Sequence, residues 1–213
     1  QTAPLLEALD QASAALSQAY PSEHPLRVRL QAERCKHDLA SCAALEAWFK
    51  PDSPALLPES VATAALAMSQ RERLRNQPGT AFEHATVALQ AASESRQAPL
   101  KVQAFAELAL VQALRGQLSD AIFFGKHAVL ILQATRSSLA PISRAAEQGY
   151  LQDNYAQYRR LADWLFKKGR LAEGLEVLQL LKIGEQDDFQ ERTGTSASYE
   201  LTLNDAEQAA LAR

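Results

Sequence analysis

Apolar residues recur at helical spacing along nearly the whole chain, and no stretch alternates strictly enough to read as a strand. The pattern breaks at YPSEHP (20–25), KPDSP (50–54), NQPGT (76–80), QAP (97–99), RGQ (115–117), AP (140–141) and KGR (168–170). Proline suits the first turn of a helix and glycine its end, so these clusters read as punctuation between helices. They predict helices over roughly 3–19, 25–49, 56–75, 80–96, 99–115, 118–138, 142–168 and 171–183. From Asp187 to Tyr199 the residues turn polar and small, which predicts a linker. Asn204 or Asp205 is placed to cap one last short helix.

One phrase occurs twice. GQLSDAIFFGKHAVLILQ begins at Gly116 and GRLAEGLEVLQLLKIG at Gly169. With the two glycines in register, Phe105 aligns with Tyr158, Leu108 with Leu161 and Ala109 with Ala162. Beyond them Leu118 aligns with Leu171, Ala121 with Gly174 and Ile122 with Leu175. Small residues thus fall where two helices would cross closely. This resembles the tetratricopeptide repeat, in which each helix pair leaves an apolar face that only its neighbour covers. The resemblance implies an all-α fold of antiparallel helix pairs, stacked as a right-handed superhelical solenoid. It would occupy residues 1–186, with its clearest repeats at about 99–136 and 142–183, and 187–213 as a linker leading onward. A weaker copy, QPGTAFEHATVALQAAS, departs by about a residue at its turn. The YPSEHP region reads as a helical hairpin. The glycines stand 53 apart, against a usual repeat of ~34 residues, so the helices between them must be long.

A more specific likeness covers residues 119–213. AIFFGKHAVLILQ, then YRRLADWLFKKGRLAEGLEVLQLLKIGEQDDF, is similar to the region that precedes the protease domain in bacterial CHAT proteins. Those are caspase-like proteins associated with tetratricopeptide repeats. Lys126, Tyr158, Gly169, Arg170, Glu173, Lys182 and Phe189 are among the matching positions. Gly174 departs from an alanine in the family. The tail YELTLNDAEQAALAR is similar to the Leu-Thr-x2-Glu-x-Ala segment that leads into the CHAT domain. The family's protease uses a His–Cys dyad, and this chain has no Gly-flanked His on a strand–turn pattern to supply one. The resemblance therefore implies a non-catalytic regulatory region, with a C-terminal CHAT-like domain in cis.

Composition changes this picture little. Ala, Leu, Gln and Glu suit helices, and no apolar run approaches the ~20 residues of a membrane span. A net charge of −3 and a pI near 5.9 argue against nucleic acid as a partner. The first residue is Gln rather than Met, which leaves open a longer chain or a removed leader. Cys35 and Cys42 lie seven apart; along a straight helix they would be ~10 Å apart, beyond the ~7 Å reach of a disulfide. They are expected as free thiols, which points to a reducing compartment and a cytoplasmic location.

No metal or cofactor site is expected. Cys35 and His37 face different directions on a helix, and no second pair completes a tetrahedron. His24, His84 and His127 stand alone, suited to helix caps or the surface. Glycine-rich phosphate loops are absent. Arg71, Arg73 and Arg75, and Arg159, Arg160, Lys167, Lys168 and Arg170, form the basic clusters; they read as solvated helix ends, or as a patch for an acidic partner. In a tetratricopeptide groove, helix A would offer Gln103, Glu107 and Leu110 from one repeat, and Arg159, Asp163, Phe166 and Lys167 from the next. Ala106 and Leu110 stand where a carboxylate clamp needs polar residues. The expected function is protein or peptide binding in the concave groove. The other readings are the helical arm of a transcription activator, a stand-alone adaptor, and a self-contained helical enzyme that no motif supports.

Overall fold

The computed structural model describes residues 3–49, 56–139, 141–190 and 201–211, with the backbone alone at 3, 39–40, 49 and 182–190. Among the described residues every regular element is helical: α1 Ala3–Ala19, α2 Pro25–His37, α3 Ala43–Glu46, α4 Pro58–Leu74, α5 Pro78–Ser95, α6 Ala98–Leu114, α7 Leu118–Leu139, α8 Arg144–Lys167, α9 Leu171–Gln190 and α10 Asp205–Leu211. Short 3₁₀ turns at Leu39–Cys42 and Ala47–Phe49 flank α3. The chain divides into two compact units, Gln1–Arg115 and Gly116–Arg213.

Turn chemistry explains the boundaries. Gly116 (φ 77°) and Gly169 (φ 74°) are left-handed and close α6 and α8, a conformation costing a Cβ-bearing residue about 1–2 kcal/mol. Behind Gly169, the Arg170 N–H donates to Leu165 O at 2.9 Å. Asn76 (φ 57°) does the same for α4, with Gln77 N–H donating to Glu72 O at 2.8 Å. Asn76 thus closes α4 as Gly116 closes α6. Proline enters α2, α4, α5 and α6 in the first turn.

In the first unit, α4 packs against α2, α5 and α6, and α1 lies against α2. Ala62, Ala65, Ala88, Ala91, Ala92 and Ala104 make one core cluster with Leu66; their small side chains let α4, α5 and α6 approach closely. A second cluster holds Val28, Ala32, Leu45, Ala64, Ala67 and Met68 around the two cysteines, with Trp48 and Leu56 packed on it. Arg73 forks onto buried Glu107 at 2.8 and 3.2 Å and so ties α4 to α6. Arg71 bonds Glu46, tying α4 to α3.

Three expectations are corrected here. The predicted helix 25–49 ends at His37, because Asp38 takes an extended conformation (φ −133°, ψ 107°) and the chain folds back in 3₁₀ turns. Cys35 and Cys42 are consequently 4.6 Å apart at Cα and disulfide-bonded, not free thiols, and the argument for a reducing compartment loses its premise. The predicted linker also starts late: α9 continues to Gln190, and the remaining positions to Tyr199 lie outside the described residues.

In the second unit, α8 packs against α7 and α9. Ile122, Val129, Leu132, Leu161, Leu165 and Val177 are buried together with Tyr158, whose hydroxyl accepts from Gln133 at 2.9 Å. Burial pushes the Tyr158 hydroxyl up to about 12. Arg136, also buried, donates to Glu147 at 2.6 Å and to Leu180 O at 3.1 Å, pinning α7 to α8 and α9. Gly125 lies where a Cβ would come within 3.3 Å of Leu161 and Trp164. No helix of the described residues is long and apolar enough to cross a membrane.

Candidate functional site

Lys126 stands on the buried stripe of α7, between Ile122 and Val129, and its side chain is wholly buried. An ammonium there is tolerable only with its donors satisfied and its charge balanced. Its Nζ donates to Glu173 Oε2 at 2.7 Å, to Thr202 O at 2.8 Å and to Glu207 Oε2 at 2.9 Å, so all three protons are used. Arg170 grips Glu173 with Nε and a terminal nitrogen, both at 2.5 Å, and reaches Glu207 Oε1 with the other at 2.9 Å. Two cations meet two carboxylates, so the cluster is neutral.

Glu207 is presented by a reciprocal cap. Its own N–H donates to Asn204 Oδ1, and the Asn204 N–H donates to Glu207 Oε2, each at 2.9 Å. The bidentate hydrogen bonds from Arg170 hold Glu173 below the usual carboxylate range. Burial pushes Glu207 up, but hydrogen bonds from Arg170, the Asn204 N–H and Lys126 outweigh it, and its carboxyl also titrates low. Bonding to Glu173 holds Arg170 above its ordinary value. Both carboxylates thus stay ionised at neutral pH with their lone pairs engaged. That arrangement suits recognition and anchoring rather than proton transfer.

The sequence-derived groove residues fall in both units. In the first unit Gln103 is exposed and lines a cleft of about 510 Å³ between α2, α4 and α6. Leu110 is half-buried, while Glu107 is 3% exposed and held by Arg73. The cleft also presents Arg29, Glu59, Gln70 and Gln97, and the buried Ser60. In the second unit Arg159, Asp163 and Lys167 are exposed along α8, Arg159 lying over the Tyr155 ring at 5.8 Å. Half-buried Phe166 instead covers Gly174: a Cβ there would meet the ring at 2.4 Å. Of the basic clusters, Arg71, Arg73 and Arg170 are engaged in internal ion pairs, whereas Lys167 and Lys168 are exposed.

Of the histidines, His24 caps α2, its Nδ1 accepting from Leu26 N–H at 3.3 Å. His84 and His127 are held below the ordinary imidazole value by burial. No group of residues suited to a metal ion occurs among the described residues. In the sequence Lys126 and Glu173 stand out only as matching positions, and Arg170 as one of these and as a member of a basic cluster; nothing there brings the three together. The available signal was a lysine inside the apolar stripe of AIFFGKHAV, and an Asn-x-x-Glu cap at 204–207. No protein-family model, curated protein or solved structure matches the chain.

Proposed function

We propose that the chain is a non-catalytic protein-interaction scaffold, the tetratricopeptide-like regulatory region of a CHAT-type protease whose catalytic domain follows in cis. Its helix pairs would stack as a right-handed superhelical solenoid. One observation carries the reading. The three sequence blocks that resemble the region before a CHAT domain contribute Lys126, then Arg170 and Glu173, then Glu207 to one buried cluster. The tail departs in one respect, since four residues rather than two separate Thr202 from Glu207.

Further support comes from the left-handed closures at Asn76, Gly116 and Gly169, which recur where a repeat needs them. A peptide partner would meet an exposed polar helix surface within a unit: Gln103 offers one in the first unit, and Arg159, Asp163 and Lys167 offer one in the second.

Reading the gene past codon 213 tests the protease assignment. Strand–helix alternation with a Gly-flanked His and a later Cys is the expected result. A stop codon, or a helix-turn-helix domain, overturns it. The groove assignment is tested separately: replacing Arg159 and Lys167 by alanine should weaken capture of the partner, and unchanged capture refutes that surface.

A further inference from the structure

The segment Leu201–Leu211 is held to the second unit by charge more than by apolar burial. Helix α10 has seven residues, well short of the ~12–15 at which a lone helix becomes marginally stable. Within it Glu207 alone is buried, and Leu211 at its end is 64% exposed. Ahead of the helix, Leu201 is the one buried apolar anchor. Ordering these eleven residues costs more than one buried leucine returns. The hydrogen bonds of Glu207 and of Thr202 O must make up the difference.

The other half of the cluster does not need the segment to stay assembled. Arg170 and Lys126 both bond Glu173 independently of Glu207. Without the segment, two cations would face one carboxylate, leaving a net charge of +1. Such a socket demands one further anion. The resident shows what fits: a carboxylate at the third position of an Asn-capped helix, with a backbone carbonyl five residues earlier.

We infer that Lys126, Arg170 and Glu173 form a socket for a glutamate presented by a short capped helix, and that Leu201–Leu211 is its exchangeable resident. The inference holds whatever follows residue 213. It assigns the cluster a binding role with two states, filled and vacated.

The test uses the full chain and a fluorescein-labelled peptide, YELTLNDAEQAALAR, corresponding to residues 199–213, followed by fluorescence anisotropy. In the wild-type chain the tethered resident competes at high effective concentration, so binding is weak. A Glu207→Ala chain, its resident weakened, should bind the peptide at least ~10-fold more tightly. The same peptide with Glu207→Gln should bind at least ~10-fold less tightly than the unaltered peptide. Equal binding by both chains or of both peptides, or no binding by a Glu207→Ala chain with native circular dichroism, overturns the inference. Hydrogen exchange on the wild-type chain covers a variant that fails to fold. Amides of 201–211 should exchange by a local opening that leaves α7 and α8 protected. Exchange of all three segments together overturns the socket.

Discussion

Replacing Lys126 by methionine keeps most of the side chain's volume while removing its charge, so it isolates the electrostatic role of the cluster. Removing one partner of a buried ion pair typically costs about 3–5 kcal/mol. Here Arg170 still bonds both carboxylates, which puts the expected loss at the lower end, about 3 kcal/mol. Part of that loss is the Thr202 carbonyl, left without its donor. Adding Glu207→Gln restores neutrality, since Arg170 then faces Glu173 alone. The double variant should therefore be less destabilised than the sum of the singles by about 1–2 kcal/mol. Urea unfolding reads this through the fluorescence of buried Trp164, with Trp48, the other tryptophan, replaced by phenylalanine. A loss below about 1 kcal/mol for Lys126→Met, or strict additivity in the double variant, would refute a coupled, buried cluster.

Four other outcomes are expected. Reduction of Cys35–Cys42, which closes a short loop, should cost about 2–3 kcal/mol by chain entropy; two reactive thiols in unfolded, unreduced protein would contradict the bond. Because the Glu173 and Glu207 carboxyls titrate below the ordinary 4.5, their contribution is complete above that value. It is lost as pH falls through their lower folded values, so hydrogen exchange in 201–211 should accelerate on acidification. Gly169→Ala should cost about 1–2 kcal/mol at its positive φ, whereas Asn76→Gly should leave stability equal or higher, both read by thermal unfolding. Gly174→Ala should cost about 1–3 kcal/mol through collision with Phe166, and adding Phe166→Leu should restore most of it.

Most helix boundaries were legible because proline and glycine act locally. The predicted helix 118–138 corresponds to Leu118–Leu139, and 99–115 to Ala98–Leu114. The break at Asp38 was not legible, since DLASCAALEA contains neither residue and reads as a continuing helix. That single error carried into the chemistry: a straight helix keeps Cys35 and Cys42 apart, whereas a fold-back joins them. The cluster was hidden for a different reason. Lys126, Glu173 and Glu207 are dispersed along the chain, and helical periodicity orders residues within an element but is silent on which elements meet. Asn76 shows the same limit at a turn, where a non-glycine residue takes the left-handed role.

The bond between Lys126 and Glu207 joins residues 81 apart in sequence, while the helices around it pack mainly against neighbours in chain order. Loop closure over that distance is slow relative to forming a helix hairpin, so the helices of this unit form before the charge cluster does. Synthesis imposes the same order, because Glu207 is translated after every residue that receives it. Until that stretch leaves the ribosome, Lys126 has only Glu173 of its two carboxylate partners. Emergence of residues 201–211 is thus itself the event that completes the cluster.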